Sequence, residues 1–442
     1  MKKLFPLLLI MLIVFASCRK EDPDPAGNEV TPAMARDTLY YIMKQWYYWY
    51  NLMPSVTKEN YADPYELIEA LRYKEIDRWS RVIDYDESNA IMAGGFVGHG
   101  IRIGLDESDK ARIAMIFNNS PLYAHGVRRG WIVKKINDFD VAAVLLSQDA
   151  AAYNTMLGAS SITVTNTFLF QKPDGSEVTI SSTKASFTIN TVILYDTMQL
   201  KSGVNHEKVV TGHLVLESFW EPTVSELATA FTYFQSVGAK DLILDLRYNT
   251  GGLLNISQQL ASYIAGNGLT GTAFATLQYN DKHQSQNSTF KFLTTAHPLS
   301  VSRIIVITTR MTASASELVM NGLSPHISVI SVGDTTDGKP VGMNGWPCAK
   351  KYYFWPITFK VVNSLNQGDF YDGFAPNKIA VDDITHDFND KNELCLSEAI
   401  RYLETGSFSA KNAFGTSPVF RRSVQFSERP SWINNTFVLE KK

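Results

Sequence analysis

Five consecutive residues, Ile304-Ile305-Val306-Ile307-Thr308, carry β-branched side chains, and a run of this kind reads as a buried strand. Small residues follow in Thr312-Ala313-Ser314-Ala315-Ser316-Glu317, and further on comes Gly333-Asp334-Thr335-Thr336-Asp337-Gly338-Lys339. A strand that passes through small residues into a helix exposes a serine at the turn, beside the helix's opening N–H groups. Nucleophilic chemistry suits such a place.

The same alternation extends along the second half of the chain. Leu214-Val215-Leu216 precedes a helical stretch whose Val224, Leu227, Ala228, Phe231 and Phe234 fall on one face. Leu242-Ile243-Leu244-Asp245-Leu246 reads as a buried strand, Ile256 to Ile264 as a helix, and Glu317 to Leu323 as another. Strands alternating with helices predict βαβ units and an α/β core.

The first half has another texture. Residues 36–84 combine the aromatic run Trp46-Tyr47-Tyr48-Trp49-Tyr50 with a helical stretch from Tyr61 to Leu71, which predicts a small helical cap; clustered rings of this kind anchor a helix to a neighbouring core. From Gly94 to about Thr191, short alternating segments such as Ile101-Arg102-Ile103 and Ser176-Glu177-Val178-Thr179-Ile180 are separated by turns such as Pro173-Asp174-Gly175. Within this β-rich module, Phe96-Val97-Gly98-His99-Gly100-Ile101 and the stretch from Asn119 to Asn137 resemble a PDZ domain. The resemblance implies that Gly98, His99, Gly100 and Ile101 bind the terminal carboxylate of a peptide that adds as a strand.

At the start, Met1-Lys2-Lys3 is followed by an almost wholly apolar stretch, Leu4 to Ala16, and then Ser17-Cys18. About thirteen apolar residues are too few to span a bilayer, so this reads as a secretory signal. The junction resembles a bacterial lipobox, which implies lipidation of Cys18 and membrane anchoring. The polar, proline-rich residues 18–35 read as a tether, and Lys20-Glu21-Asp22 resembles a surface-export signal of some bacterial lipoproteins. The expected location is the bacterial outer membrane, facing the periplasm or the cell surface. Loss of residues 1–17 moves the formal charge from −3 to −5 with no basic block, which argues against nucleic acid as a partner. Besides Cys18, only Cys348 and Cys395 remain, so no zinc spacing exists, no metal or other cofactor is expected, and a Cys348–Cys395 disulfide is left open.

Amide cleavage by a serine needs a base, donors for the oxyanion and a way to hold the peptide. Ser314-Ala315-Ser316-Glu317 taken alone fits a helix capping box, and Lys339 taken alone fits a glycine turn. Taken together, Asp245-Leu246-Arg247-Tyr248-Asn249-Thr250-Gly251-Gly252, Thr312 to Glu317 and Gly338-Lys339 resemble the C-terminal processing peptidases, the tail-specific serine proteases of clan SK, S41 type. That resemblance covers about residues 40–405. It implies a ClpP/crotonase-like βαβ core with an inserted PDZ-like domain and an N-terminal helical cap. By position it implies Ser314 as nucleophile, Lys339 as general base and Glu317 as a supporting carboxylate, with oxyanion donors at Ala315 and in the Gly251-Gly252 pair.

The chain departs from the family at Met343, where members often carry a glutamine bonded to the lysine; Asn344 or another group would have to replace it. Ser181-Ser182-Thr183-Lys184 spells a penicillin-binding signature but sits in an alternating strand. No histidine has a context that marks a triad. The expected function is serine endopeptidase action on unfolded or tail-exposed proteins and peptides; the alternative is a weakly active or inactive surface lipoprotein that binds peptides or an apolar ligand. The expected boundaries are a signal peptide at 1–17, a tether at 18–35, a helical domain at 36–84, a PDZ-like domain at 85–191, a peptidase core at 192–405 and an irregular tail at 406–442.

Overall fold

The computed structural model describes residues 30–202, 207–410, 426–427 and 436–439. The signal sequence, Cys18 and most of the tether lie outside the described residues.

The first helix, Pro32–Trp46, starts inside the stretch expected to be tether. Thr31 caps it by accepting from the Met34 N–H at 3.2 Å, and proline at the first position suits a helix start. A second helix, Pro64–Leu71, begins the same way, with Asp63 accepting from the Glu66 N–H. Leu39, Ile42 and Met43 of the first meet Leu67, Ile68 and Leu71 of the second in the main core. The aromatic run closes this cap: Tyr47 is fully buried and its hydroxyl donates to Asp77 Oδ2 at 2.7 Å. The cap is also sewn to the body, because Arg81–Asp84 pairs antiparallel with Tyr352–Trp355.

The body holds a six-stranded sheet in the order Val192–Ser202, Glu207–Leu216, Asp241–Asp245, Arg303–Thr308, Ser328–Gly333, Lys378–Ile379. The first pair is antiparallel and the remaining pairings are parallel. Alternate residues serve opposite faces. Leu242, Leu244, Ile304 and Val306 pack with Leu227, Phe231, Leu260 and Val319 of the helices Thr223–Ser236, Leu254–Ala265 and Ala315–Leu323. Ile243, Ile305 and Ile307 pack instead with Leu396, Ala399 and Leu403 of the helix Leu394–Thr405. Burial on both faces is why these strands read as unbroken apolar runs. The helix expected from Val224 onward is present, but Val224 itself is exposed and Ala230 is buried in the stripe.

A second six-stranded sheet combines distant pieces in the order Gly251–Leu253, Thr436–Leu439, Val341–Asn344, Ile357–Val362, Ala273–Tyr279, Ser288–Lys291. The β-rich module has a core of its own, with Ile101, Ile103, Ile113, Val133, Phe168 and Phe170 among its residues. The tail expected to be irregular contributes strand to both: Phe426-Ser427 joins the module sheet and Thr436–Leu439 the second body sheet. Cys348 and Cys395 are free thiols, so the disulfide is not formed.

Candidate active site

The strand Arg303–Thr308 delivers the chain to a turn that Asn249 organises. The Ala313 N–H and the Ser316 hydroxyl both donate to the Asn249 carbonyl, at 3.1 and 3.0 Å. The Ser316 hydroxyl is thereby committed to the turn. Ser314 sits at the start of the helix with φ 63° and ψ −112°, a backbone conformation that side-chain-bearing residues adopt only when their surroundings force it. Its hydroxyl oxygen is buried and has no hydrogen-bond partner among the described residues. Ser314 and Glu317 occupy the N-cap and third helical places of a capping box, yet the bond made runs from the Ser314 N–H to Glu317 Oε2, at 2.8 Å.

Glu317 is the clasp of the site. The same Oε2 accepts from the Lys339 N–H at 2.9 Å, while Oε1 accepts from the Thr336 hydroxyl at 2.6 Å and the Gly338 N–H at 2.7 Å. The main-chain nitrogens of Ser314 and Lys339 therefore lie within two hydrogen-bond lengths of one another. Burial raises the Glu317 pKa to about 7, against the donors that hold it down.

The Lys339 amine is buried between two soft surfaces. It lies 4.0 Å from the Met343 sulfur and 5.8 Å from the centre of the Trp79 ring. Burial first, and then the positive charge of Arg81, push its pKa well below that of a solvated lysine. Asn344 does not stand in for the glutamine of the family pattern, because its Oδ1 accepts from the Thr358 hydroxyl at 2.7 Å. No hydrogen bond joins the Ser314 hydroxyl to the amine in this structure.

Trp79 and Arg81 were missed in the sequence. They belong to the cap, where Asp77 Oδ1 accepts from the Trp79 and Ser80 N–H groups at 2.9 Å, and Arg78 reaches the Asp337 carbonyl at 2.9 Å. Nothing local in Asp77-Arg78-Trp79-Ser80 signals a partner some 260 positions away.

The glycine pair divides its duties. The Gly251 N–H donates to Asn249 Oδ1 at 2.9 Å, so it is occupied within the turn. Gly252 lies so close to Phe219 that a Cβ there would stand 2.4 Å from the Phe219 carbonyl oxygen, at φ +144°. Asp245 and Arg247 brace the preceding turn through bonds of 2.9 and 3.0 Å.

Other sequence candidates fall elsewhere. His99 is fully buried, with Nδ1 at 3.1 Å from the Ser182 hydroxyl and Nε2 at 2.8 Å from Asn166 Oδ1; its ring is spent inside the module and offers nothing to a peptide. The Ile101 side chain is likewise in the module core. Gly98 ends the strand Gly95–Gly98, and Gly100, at φ +72°, makes the turn into Ile101–Leu105. Lys184 donates to the Gly158 and Ala159 carbonyls at 3.0 Å, and Ser181 to Thr183 lie in a strand, so that motif is structural. His213 is buried in the main sheet, and burial holds its pKa down to about 4. Among the described residues no group of acidic, histidine or cysteine side chains is arranged to hold a metal, and no helix is long and apolar enough to cross a membrane.

Residues 210–361 match peptidase family S41, and residues 35–81 match the peptidase S41 N-terminal domain. A carboxyl-terminal-processing protease of Picosynechococcus is 26% identical over 281 residues, which cover 63% of this chain and 63% of that protein. A carboxy-terminal-processing protease of Bartonella bacilliformis is 26% identical over 267 residues, 57% of this chain and 55% of the relative. The chain thus spans less than two thirds of the length of either. A solved structure of an S41 protease from Bacteroides fragilis superposes with a TM-score of 0.68 at 22% identity, over 85% of this chain and 98% of that one, an agreement of fold. The chain is thus similar to peptidase family S41 over two stretches, and it shares the fold of a solved S41 protease.

Proposed function

We propose that this chain is a serine endopeptidase in which Ser314 attacks and Lys339 moves the proton. The observation that carries the reading is the Glu317 clasp, which ties a serine with an unpartnered hydroxyl and a lysine with a depressed pKa to the same carboxylate oxygen. An uncharged amine takes the proton from the Ser314 hydroxyl as Oγ bonds to the substrate carbonyl carbon. The oxyanion that forms accepts from the Ala315 N–H, at the opening of its helix, and from the Gly252 N–H. The protonated Lys339 then gives its proton to the leaving amine as the peptide bond breaks. Water, deprotonated by the same amine, releases the acyl group and restores the serine. Serine and lysine come into hydrogen-bond contact when substrate is bound, as catalytic bonds commonly do.

In the same reading the β-rich module acts as a PDZ-like domain. It takes exposed C-terminal tails along Ile101–Leu105, with main-chain groups from Gly98 to Ile101 rather than the His99 ring meeting the carboxylate. Cys18 carries a lipid that holds the enzyme at the bacterial outer membrane. The contact between the Lys339 amine and Met343 supports the second reading, a slow or inactive peptide binder on the same fold, because a thioether is a weak acceptor.

The test is digestion of unfolded proteins and of peptides with apolar C-termini by residues 19–442, with fragments read by mass spectrometry. Wild type yields new fragments, whereas Ser314→Ala and Lys339→Ala yield none. Identical fragments from all three would overturn the dyad, and none from wild type would favour the binder.

A further inference from the structure

The strand Gly251–Leu253 has a neighbour on each side. On one side the Phe219 N–H donates to the Gly251 carbonyl at 3.0 Å and the Leu253 N–H donates to the Phe219 carbonyl at 2.7 Å. Successive residues of a strand turn their N–H and C=O groups to opposite edges, so those of Gly252 face the other side. Along that side run residues Thr436–Leu439, parallel, with Thr436 opposite Gly251, Phe437 opposite Gly252 and Val438 opposite Leu253. Their far edge pairs with Val341–Asn344, Val438 opposite Met343 and Leu439 opposite Asn344. This second wall begins two residues after Lys339. Upstream, Phe426 and Ser427 lie antiparallel on the module strand Ile101–Leu105, opposite Ile103 and Arg102.

We propose that the chain's own C-terminal segment is a tethered occupant of its peptide-binding sites, which competes with substrate for the slot beside Gly252. The proposal rests on the peptidase reading of Ser314 and Lys339. A slot bounded by two strand edges is satisfied by an extended chain through main-chain bonds, whatever its sequence, so the tail and a substrate fit it alike. Nine residue steps from Ser427 to Thr436 reach at most about 30 Å, enough for one segment to fill the module edge and the slot together. A segment joined covalently to the same chain is presented at an effective concentration on the order of millimolar, so one of only ~0.1 mM intrinsic affinity raises the apparent KM about tenfold.

The experiment uses the full mature chain and its Val438→Pro variant, which lacks an N–H in the middle of the paired strand. A chain ending at Asn435 is run beside it as a variant free of any effect of proline on folding. Amide hydrogen exchange is followed in segments 250–254 and 341–345, and KM is measured with an unfolded protein substrate. Both variants are expected to exchange about tenfold faster in those segments and to show a KM about tenfold lower at unchanged kcat. A synthetic peptide of residues 426–442 is expected to reverse both effects. Unchanged exchange and KM, or a fall in kcat that the peptide does not restore, would show a fixed structural strand and overturn the proposal. The Ser314→Ala form of each chain separates the two ideas. Activity that survives it sinks the dyad, while exchange still reports whether the tail occupies the slot.

Discussion

Two fully buried cations, Arg247 and Lys339, are treated in opposite ways. Arg247 lies 2.8 Å from Asp245, 2.8 Å from Asp382 and 2.9 Å from Glu393. Burial works against its charge, but those carboxylates outweigh burial and raise its pKa. Lys339 has a thioether and an indole ring beside its amine, and burial followed by Arg81 drives its pKa down against the opposing pull of Asp337, Asp77 and Glu317. Charge compensated by carboxylates fixes the turn that Asp245 and Arg247 brace, whereas burial at Lys339 favours the neutral amine, the form that accepts a proton. Architecture and chemistry are thus separated by whether carboxylates or burial dominate at the buried group.

The strongest attempt to break this contrast is Lys339→Arg, which keeps a cation but removes a group able to lose its proton near neutrality. Activity is expected to fall by about 10⁴-fold at an unchanged fold, by fragment yield and circular dichroism. Arg247→Met attacks the other side. It leaves Asp245 and Glu393 buried without their cation, Asp382 keeping Arg129 at 2.9 Å, and urea unfolding is expected to show a loss of about 3–5 kcal/mol.

Lys339→Met tests the sign directly. The folded-state pKa of Lys339 lies below that of the unfolded chain, so wild-type stability is full above the unfolded value of about 10.5 and is lost as pH falls through the folded one. The methionine variant is therefore expected to be more stable than wild type in urea unfolding at pH 7, with the gain closing as pH approaches 10.5. Arg81→Met removes a like charge that lowers the Lys339 pKa, and the acid limb of the kcat/KM profile is expected to move up by about half a pH unit. Met343→Gln supplies a hydrogen-bond acceptor beside the amine and is expected to raise kcat about threefold, the smallest of these effects.

What was legible in the sequence follows the range of the interactions. The strand Ile304 to Thr308 and the helix after Ser314 declare themselves because burial and helix opening are written in neighbouring residues. The placement of Val224 failed because a one-face pattern does not say where the stripe leaves its neighbour; that residue lies at the helix start, past the edge of the core. The burial of the His99 ring has no local signal, because Asn166 and Ser182, which hold it, are 67 and 83 positions away. The tail strands carry no readable period because four residues, paired on both edges, take their conformation from the partners. Trp79 and Arg81 were silent for the same reason: their effect on Lys339 exists only once the cap has docked.

Gly252 has one more consequence. Because no side chain fits between it and Phe219, the strand there is bare main chain, which would touch every amino acid in the same way. On the proposed peptidase reading, selectivity at this step would come from whether a polypeptide can be drawn out straight rather than from the letters it is written in. Folded proteins would then be spared by their shape, and loose ends of varied composition admitted.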